Sequence, residues 1–249
     1  MTEKKIRLYI GDLLNVFETQ ELGKYRLILT DPPYNIGWKY HGRIRDKRAD
    51  YDSWCFLWAQ YCFEYLEEDG ILAIINYPEN NNKLYTVLVE SGYNYVQQLV
   101  WTYPTNIGQS KRKYTRSYRT VLIFSKSEKY IFNGVKGTYK NPTDKRIKER
   151  LEKGFAPLLY DVWDINLQKN VGKDKKKKGI NQLPKELVKR LILTYTEEGD
   201  RVMDPFAGNG TVLDVADEFK RYATGIDIYD YDVYPKEYLT FVDSSYNHI

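Results

Sequence analysis

Four short apolar runs in this chain each lead into an aspartate. Ile6-Arg7-Leu8-Tyr9-Ile10 runs into Gly11-Asp12, and Leu27-Ile28-Leu29-Thr30 into Asp31. Arg201-Val202-Met203 runs into Asp204, and Tyr222 to Ile226 into Asp227. Between such runs lie longer stretches with apolar residues at helical spacing, as in 52–68, which carries Trp54, Leu57, Trp58, Tyr61 and Tyr65. Strands alternating with helices predict a mostly parallel sheet covered on both faces. Ligands of such sheets bind beyond the carboxyl ends of the strands. The four aspartates therefore mark one ligand-binding edge.

The remaining elements follow the same rhythm. A short helix starts at Leu13. Asp69-Gly70 ends the 52–68 helix, Ile71 to Ile75 is a fully apolar strand, and a helix near 80–91 stops at Gly92. Two longer strands, about 94–103 and 119–125, read as a hairpin with a long basic loop. Residues 127–178 lose the periodicity and read as an insertion of loops and short helices. A helix at about 182–196 precedes the Asp204 strand, a further helix starts at Thr211, and Tyr222 to Ile226 is the last strand. The 249 residues suit one domain, 1–249, carrying that insertion.

Composition excludes several classes. No apolar run approaches the roughly 20 residues that span a bilayer. The polar start, Thr2-Glu3-Lys4-Lys5, is unlike a signal peptide, so a cytoplasmic protein is expected. Cys55 and Cys62 lie two helical turns apart, roughly 10 Å, too far for a disulfide, and read as packing residues. With His41 and His248 they match no familiar ligand spacing, so no metal is expected.

Asp31-Pro32-Pro33-Tyr34 has a chemistry of its own. The exocyclic amine of adenine or cytosine is a poor nucleophile because its lone pair is delocalised into the ring. Acceptors for its hydrogens restore lone-pair character, and the Asp31 carboxylate and the Pro32 carbonyl can supply them. Two prolines fix the backbone that aims that carbonyl, and Tyr34 offers a face for the base. At the other end, Asp204-Pro205-Phe206-Ala207-Gly208-Asn209-Gly210-Thr211 joins a strand to a helix. Its glycines allow a tight turn and close approach of a ligand. Asp227, about 20 residues on, stands where a carboxylate meets ribose hydroxyls. That arrangement alone would also serve a dinucleotide.

Net charge is only +4, but the basic residues are grouped. Lys39, Arg43, Arg45, Lys47 and Arg48 form one cluster, and Lys111, Arg112, Lys113, Arg116 and Arg119 another. Lys173 and Lys175 to Lys178 form a third. Loops of this kind near strand ends suit a phosphate backbone.

Taken together, these segments resemble the beta class of DNA amino-methyltransferases, in which the catalytic motif precedes the cofactor motif. The resemblance covers most of the chain. It implies a Rossmann-like S-adenosylmethionine-dependent methyltransferase fold, with a mostly parallel seven-stranded sheet in circularly permuted order. It carries the catalytic role to Asp31, Pro32, Pro33 and Tyr34. It carries cofactor binding to Asp12, Leu13, Asp31, Asn181, Gln182, Pro184, Asp204, Pro205, Phe206, Ala207, Gly208, Asn209, Gly210, Thr211 and Asp227. Asp12 would face the adenine of the cofactor.

Double-stranded DNA is the implied partner, held by Lys39, Arg43, Arg45, Lys111, Arg112, Lys113 and Arg116, with 127–178 as the target-recognition segment. Members often belong to restriction–modification systems, which implies a cognate restriction endonuclease and a monomer or homodimer. Asp31, where cytosine-N4 members more often carry serine, points to the N6 amine of adenine, with cytosine N4 as the alternative. An RNA or protein methyltransferase and a non-catalytic DNA-binding module are the remaining readings. Two departures from the family pattern are visible: Leu183 replaces a usual lysine, and Tyr118-Arg119 replaces a common His-Glu.

Overall fold

The computed structural model describes residues 5–37, 39–40, 44–104, 111–168 and 182–242. The chain runs β1 (Ile6–Ile10), α1 (Leu13–Thr19), β2 (Tyr25–Thr30), β3 (Lys39–Tyr40), β4 (Ile44–Arg45), α2 (Tyr51–Tyr65), β5 (Leu66–Asn76) and α3 (Pro78–Glu90). It continues through β6 (Asn94–Thr102), β7 (Tyr118–Ser125), α4 (Lys145–Glu152), β8 (Val162–Asp164) and α5 (Lys185–Tyr195). The last elements are β9 (Arg201–Asp204), α6 (Thr211–Glu218), β10 (Tyr222–Asp227) and β11 (Leu239–Phe241).

One sheet takes the order β11-β1-β10-β9-β2-β5-β7-β6-β8. Its neighbours are parallel except where β7 pairs with β5 and with β6. Seven strands make the Rossmann-like sheet expected from the sequence, and the three-residue β8 and β11 extend its two edges.

Period-two alternation in the central strands explains why both faces are covered. Leu27 and Leu29 of β2, with Ile71, Ala73 and Ile75 of β5, join one core, against α5 and α6. Ile28, Leu72 and Ile74 point the other way, into a second core with Trp58, Cys62 and Leu88 of α2 and α3. Every residue from Ile71 to Ile75 is fully buried, as a strand sandwiched between two helical layers must be. Cys55 and Cys62 are free buried thiols inside the second core.

Several boundaries differ from the sequence reading. Helix α2 stops at Tyr65, because Leu66 already pairs with Tyr25 across a register shift in β2. Helical spacing in one strand of sequence cannot reveal that long-range pairing. Within 127–178 the short β8 pairs with β6 and buries Trp163, so part of this stretch belongs to the sheet. Tyr222–Asp227 is not the last strand, since β11 pairs with β1 beyond it. Among the described residues, no helix is long and apolar enough to cross a membrane.

Sheet order positions the site. β2 and β9 are neighbours although far apart in sequence, so the loops leaving their carboxyl ends lie side by side. β10 lies beyond β9, with Gly225 opposite Asp204, and β1 beyond β10, with Ile10 opposite Asp227. The chain turns in opposite directions on the two sides of the β2–β9 seam, a switch point of the kind that opens a crevice.

Candidate active site

The segment leaving β2 is clamped by side-chain donors. Tyr51 Oη donates to the Pro33 carbonyl at 2.7 Å, and Asn80 Nδ2 donates to the Tyr34 carbonyl at 2.9 Å. Asn76, fully buried at the end of β5, ties these two together. Its Nδ2 donates to Tyr51 Oη at 3.4 Å, and its Oδ1 accepts from Asn80 Nδ2 at 2.9 Å. Asn35 takes up a left-handed backbone, φ 58°, and its Oδ1 accepts from the Arg48 backbone N–H at 2.8 Å. The Tyr34 hydroxyl donates to Asp31 Oδ1. Its ring tilts against Tyr77 at 4.7 Å between centroids, with the Arg119 guanidinium 4.9 Å away.

The turn after β9 is built by glycine. Gly208 and Gly210 have φ of 53° and 78°, a region that costs other residues strain. Gly210 caps α6, and a Cβ there would strike the Tyr234 ring. Asp227 braces the turn from β10: its Oδ2 accepts from the Gly208 N–H at 2.7 Å and its Oδ1 from the Tyr229 N–H at 3.0 Å. Asp204 Oδ1 accepts from the Phe206 N–H at 3.1 Å. Asp12 caps α1, accepting from the Leu14 N–H at 3.0 Å. Asn209 is buried and its Oδ1 accepts from Thr211, while its Nδ2 has no partner among the described residues. An unpaired buried donor on a cavity wall fits a ligand acceptor such as a carboxylate.

A cavity of about 380 Å³ joins the two segments. Asp31, Pro32, Pro33, Tyr34, Tyr77 and Arg119 form one end. Asp12, Asp204, Phe206, Gly208, Asn209 and Asp227 form the other. Burial pushes the carboxyls up: Asp204 to about 8, with Asp31 and Asp227 adding to the rise, and Asp227 to about 6. Burial also raises Asp31, against which the Arg119 charge and the Tyr34 hydroxyl both act. A ligand bearing positive charge would relieve this carboxyl-rich wall, and the apolar surfaces of Leu183, Phe206, Val212 and Ile228 suit a planar ring. The residues present therefore fit an adenosyl sulfonium.

Most residues singled out from the sequence line this cavity: Asp12, Leu13, Asp31, Pro32, Pro33, Tyr34, Asp204, Pro205, Phe206, Ala207, Gly208, Asn209, Thr211 and Asp227. Gly210 shapes the turn instead. In the segment before α5, the lining residue is Leu183; Gln182 and Pro184 stand outside the wall, Pro184 capping the helix. Asn181 and Arg43 lie outside the described residues, as do the side chains of Lys39 and Arg45, whose backbones pair as β3 and β4. Lys111, Arg112 and Lys113 are exposed. Arg116 is held by the protein, donating to Glu79 and stacking on Tyr77 at 4.0 Å.

Trp54 and Arg48, which show in the sequence only as a helix-face residue and as part of a basic cluster, line the cavity, as do Tyr77 and Tyr231, which carry no local signal. Trp54 meets Phe206 edge-on at 5.4 Å, joining α2 to the glycine turn. Arg119, legible in the sequence as one of a basic cluster and as a departure from a family pattern, is a buried wall of the site.

Fold and site together define a Rossmann-like amino-methyltransferase in which the Asp31–Tyr34 loop comes before the glycine turn. The chain belongs to the DNA methylase family of N6 and N4 methyltransferases, whose model matches residues 25–234. It is 30% identical over 234 residues to the DNA adenine methyltransferase YhdJ of Escherichia coli (strain K12), covering 88% of this chain and 76% of that protein. Among solved structures it resembles the M1.HpyAVI–SAM complex, with a TM-score of 0.68 and 19% identity over 94% of this chain and 98% of that one. It also resembles the PvuII DNA methyltransferase described as cytosine-N4-specific, with a TM-score of 0.69 and 20% identity over 89% and 81% of the two chains.

Proposed function

We propose that this chain transfers a methyl group from S-adenosylmethionine to the N6 amine of adenine within a short sequence of double-stranded DNA. The observation that carries the reading is the cavity shared by Asp31-Pro32-Pro33-Tyr34 and the Asp204–Thr211 turn. When bound, S-adenosylmethionine supplies an electrophilic methyl on a sulfonium. The Gly208–Asn209 turn, Asp227 and Asp12 would hold it, with Leu183, Phe206 and Ile228 offering apolar surface to its ring.

The protein's own groups do the rest by positioning and electrostatics. The target base leaves the duplex to reach a chamber this deep. Tyr34 occupies Asp31 Oδ1, so Oδ2 and the Pro32 carbonyl accept the two amine hydrogens. Drawing on those hydrogens returns lone-pair density to nitrogen. As the new N–C bond forms, the S–CH3 bond of the sulfonium breaks to leave a neutral thioether, and the surplus amine proton passes to Asp31. No covalent enzyme intermediate is required.

Adenine is chosen because Asp31 stands where serine is more common in cytosine enzymes. The likeness to a cytosine-N4-specific enzyme keeps cytosine N4 as the second reading. Residues 127–178 are assigned target recognition, and Lys111, Arg112 and Lys113 contact with the DNA backbone. A cognate restriction endonuclease is the proposed partner in the cell.

The test is transfer of labelled methyl to mixed genomic DNA, followed by nucleoside digestion and chromatography. Label in N6-methyladenine is expected. Label in N4-methylcytosine would overturn the base and keep the chemistry. No label in DNA, with the cofactor still bound, would overturn the proposal.

A further inference from the structure

Among the described residues, Arg119 is the buried cation on the amine-binding side of the cavity. It sits on β7 opposite Trp101 of β6, with only 6% of its surface exposed. Four rings surround its guanidinium: Tyr34 at 4.9 Å, Trp101 at 5.2 Å, Tyr103 at 5.5 Å and Tyr77 at 5.6 Å. These faces hold the charge in place without satisfying its N–H groups. Its Nε is buried with no hydrogen-bond partner among the described residues. A buried donor without a partner, on a residue that lines the cavity, marks a bond that a ligand completes.

We propose that Arg119 reads the target base, donating to the ring nitrogen beside the exocyclic amine while Asp31 accepts from the amine itself. This rests on the reading of the cavity as an amino-methyl transfer site. Arginine is donor-only and ionised carboxylate is acceptor-only. Set side by side, they complement an amidine edge, an amino group on a carbon that is doubly bonded to a ring nitrogen. Adenine presents that edge as its amine and N1, cytosine as its amine and N3. Thymine and guanine present a carbonyl beside a ring N–H there, with both polarities reversed, so each would face a repulsive pairing. Arg119 and Asp31 thus select, among Watson–Crick edges, for those of adenine and cytosine before any size discrimination. The same guanidinium, protonated at any working pH, also favours the ionised form of Asp31. The two roles are separable by experiment.

The test is a cycle of protein and substrate changes. The DNA carries the base methylated by the wild type, or its analogue lacking the ring acceptor: 1-deazaadenine for adenine, 3-deazacytosine for cytosine. Each analogue keeps the amine. Wild type should lose about 10- to 100-fold in kcat/KM on the analogue, the worth of a charge-assisted hydrogen bond. Arg119→Met should lose a similar factor on the natural base and little more on the analogue. Binding of S-adenosylmethionine, measured by calorimetry, should be unchanged in the variant. Arg119→Leu, which also removes the donor, gives the same cycle should the Met variant fail to fold.

Equal rates of wild type on base and analogue would overturn the assignment. So would a variant whose loss multiplies with that of the analogue, the signature of a purely electrostatic role. A wild type that methylates no DNA would overturn the underlying reading along with it, whereas normal methylation without analogue discrimination would overturn Arg119 alone.

Discussion

With Asp204 and Asp227 on the wall proposed to face the cofactor, its binding should be a proton-linked event with a calculable size. Burial lifts Asp204 to about 8 and Asp227 to about 6. At pH 7 the first is therefore about 90% protonated and the second about 10%. The ligand carries a sulfonium, and its ribose donates hydroxyls, so the bound state favours both carboxylates. Binding at pH 7 should then release about one proton, nearly all of it from Asp204. Raising the pH from 6 to 8 should tighten binding by about 100-fold. Asp204→Asn should cut the proton release at pH 7 to about 0.1 and the gain over that interval to about twofold.

Titration calorimetry in two buffers of different ionisation enthalpy reads both quantities. The sign for the free protein is opposite. A carboxyl raised in the folded state stabilises most below its unfolded pKa of about 4 and loses that contribution as the pH climbs through about 8. The ligand-free protein should therefore melt higher at pH 6 than at pH 8, and saturating S-adenosylmethionine should reverse or flatten the trend. Affinity independent of pH, with no proton released, would refute the reasoning.

Other outcomes test the site from different sides. Asp31→Ala should lower methyl transfer by about 10²- to 10⁴-fold; full activity in a folded variant would sink the mechanism. Asn76→Ala removes the amide linking Tyr51 to Asn80, so it should reduce kcat on DNA and destabilise the fold by about 1–3 kcal/mol, read by steady-state kinetics and urea unfolding. Gly225→Ala would place a Cβ 2.8 Å from Ala207 Cβ and 2.9 Å from Leu213 Cδ2 and Leu8 Cδ1. An overpacking cost of about 1–3 kcal/mol is expected, with weaker cofactor binding as the Ala207 turn is pushed off β10. Replacing Lys111, Arg112 and Lys113 with alanine should flatten the salt dependence of DNA binding by about 2–3 in log–log slope, measured by fluorescence anisotropy.

The layering of the protein follows from its local sequence pattern. Ile71 to Ile75 has no polar residue for water to meet, so that strand had to be covered twice. The glycines of Gly208-Asn209-Gly210 and the paired prolines after Asp31 are local constraints, legible because φ and ring geometry act within a few residues. The same locality explains what could not be read. Helix α2 ends at Tyr65 because Leu66 pairs with Tyr25 on a strand far upstream, β8 joins the sheet through β6, and β11 closes the edge on β1.

The contents of the site depend on contacts between distant segments. Strand order set β2 beside β9 and so joined Asp31 to Asp204 in one cavity. The hairpin of β6 and β7 swung Arg119 into a ring of aromatics next to Asp31, where sequence showed merely an unexpected basic residue. Arg116, three residues away and equally basic, was instead stacked on Tyr77 and bonded to Glu79. Side-chain charge is written in the sequence, but burial and partners, which fix what that charge does, depend on contacts between segments that only folding brings together.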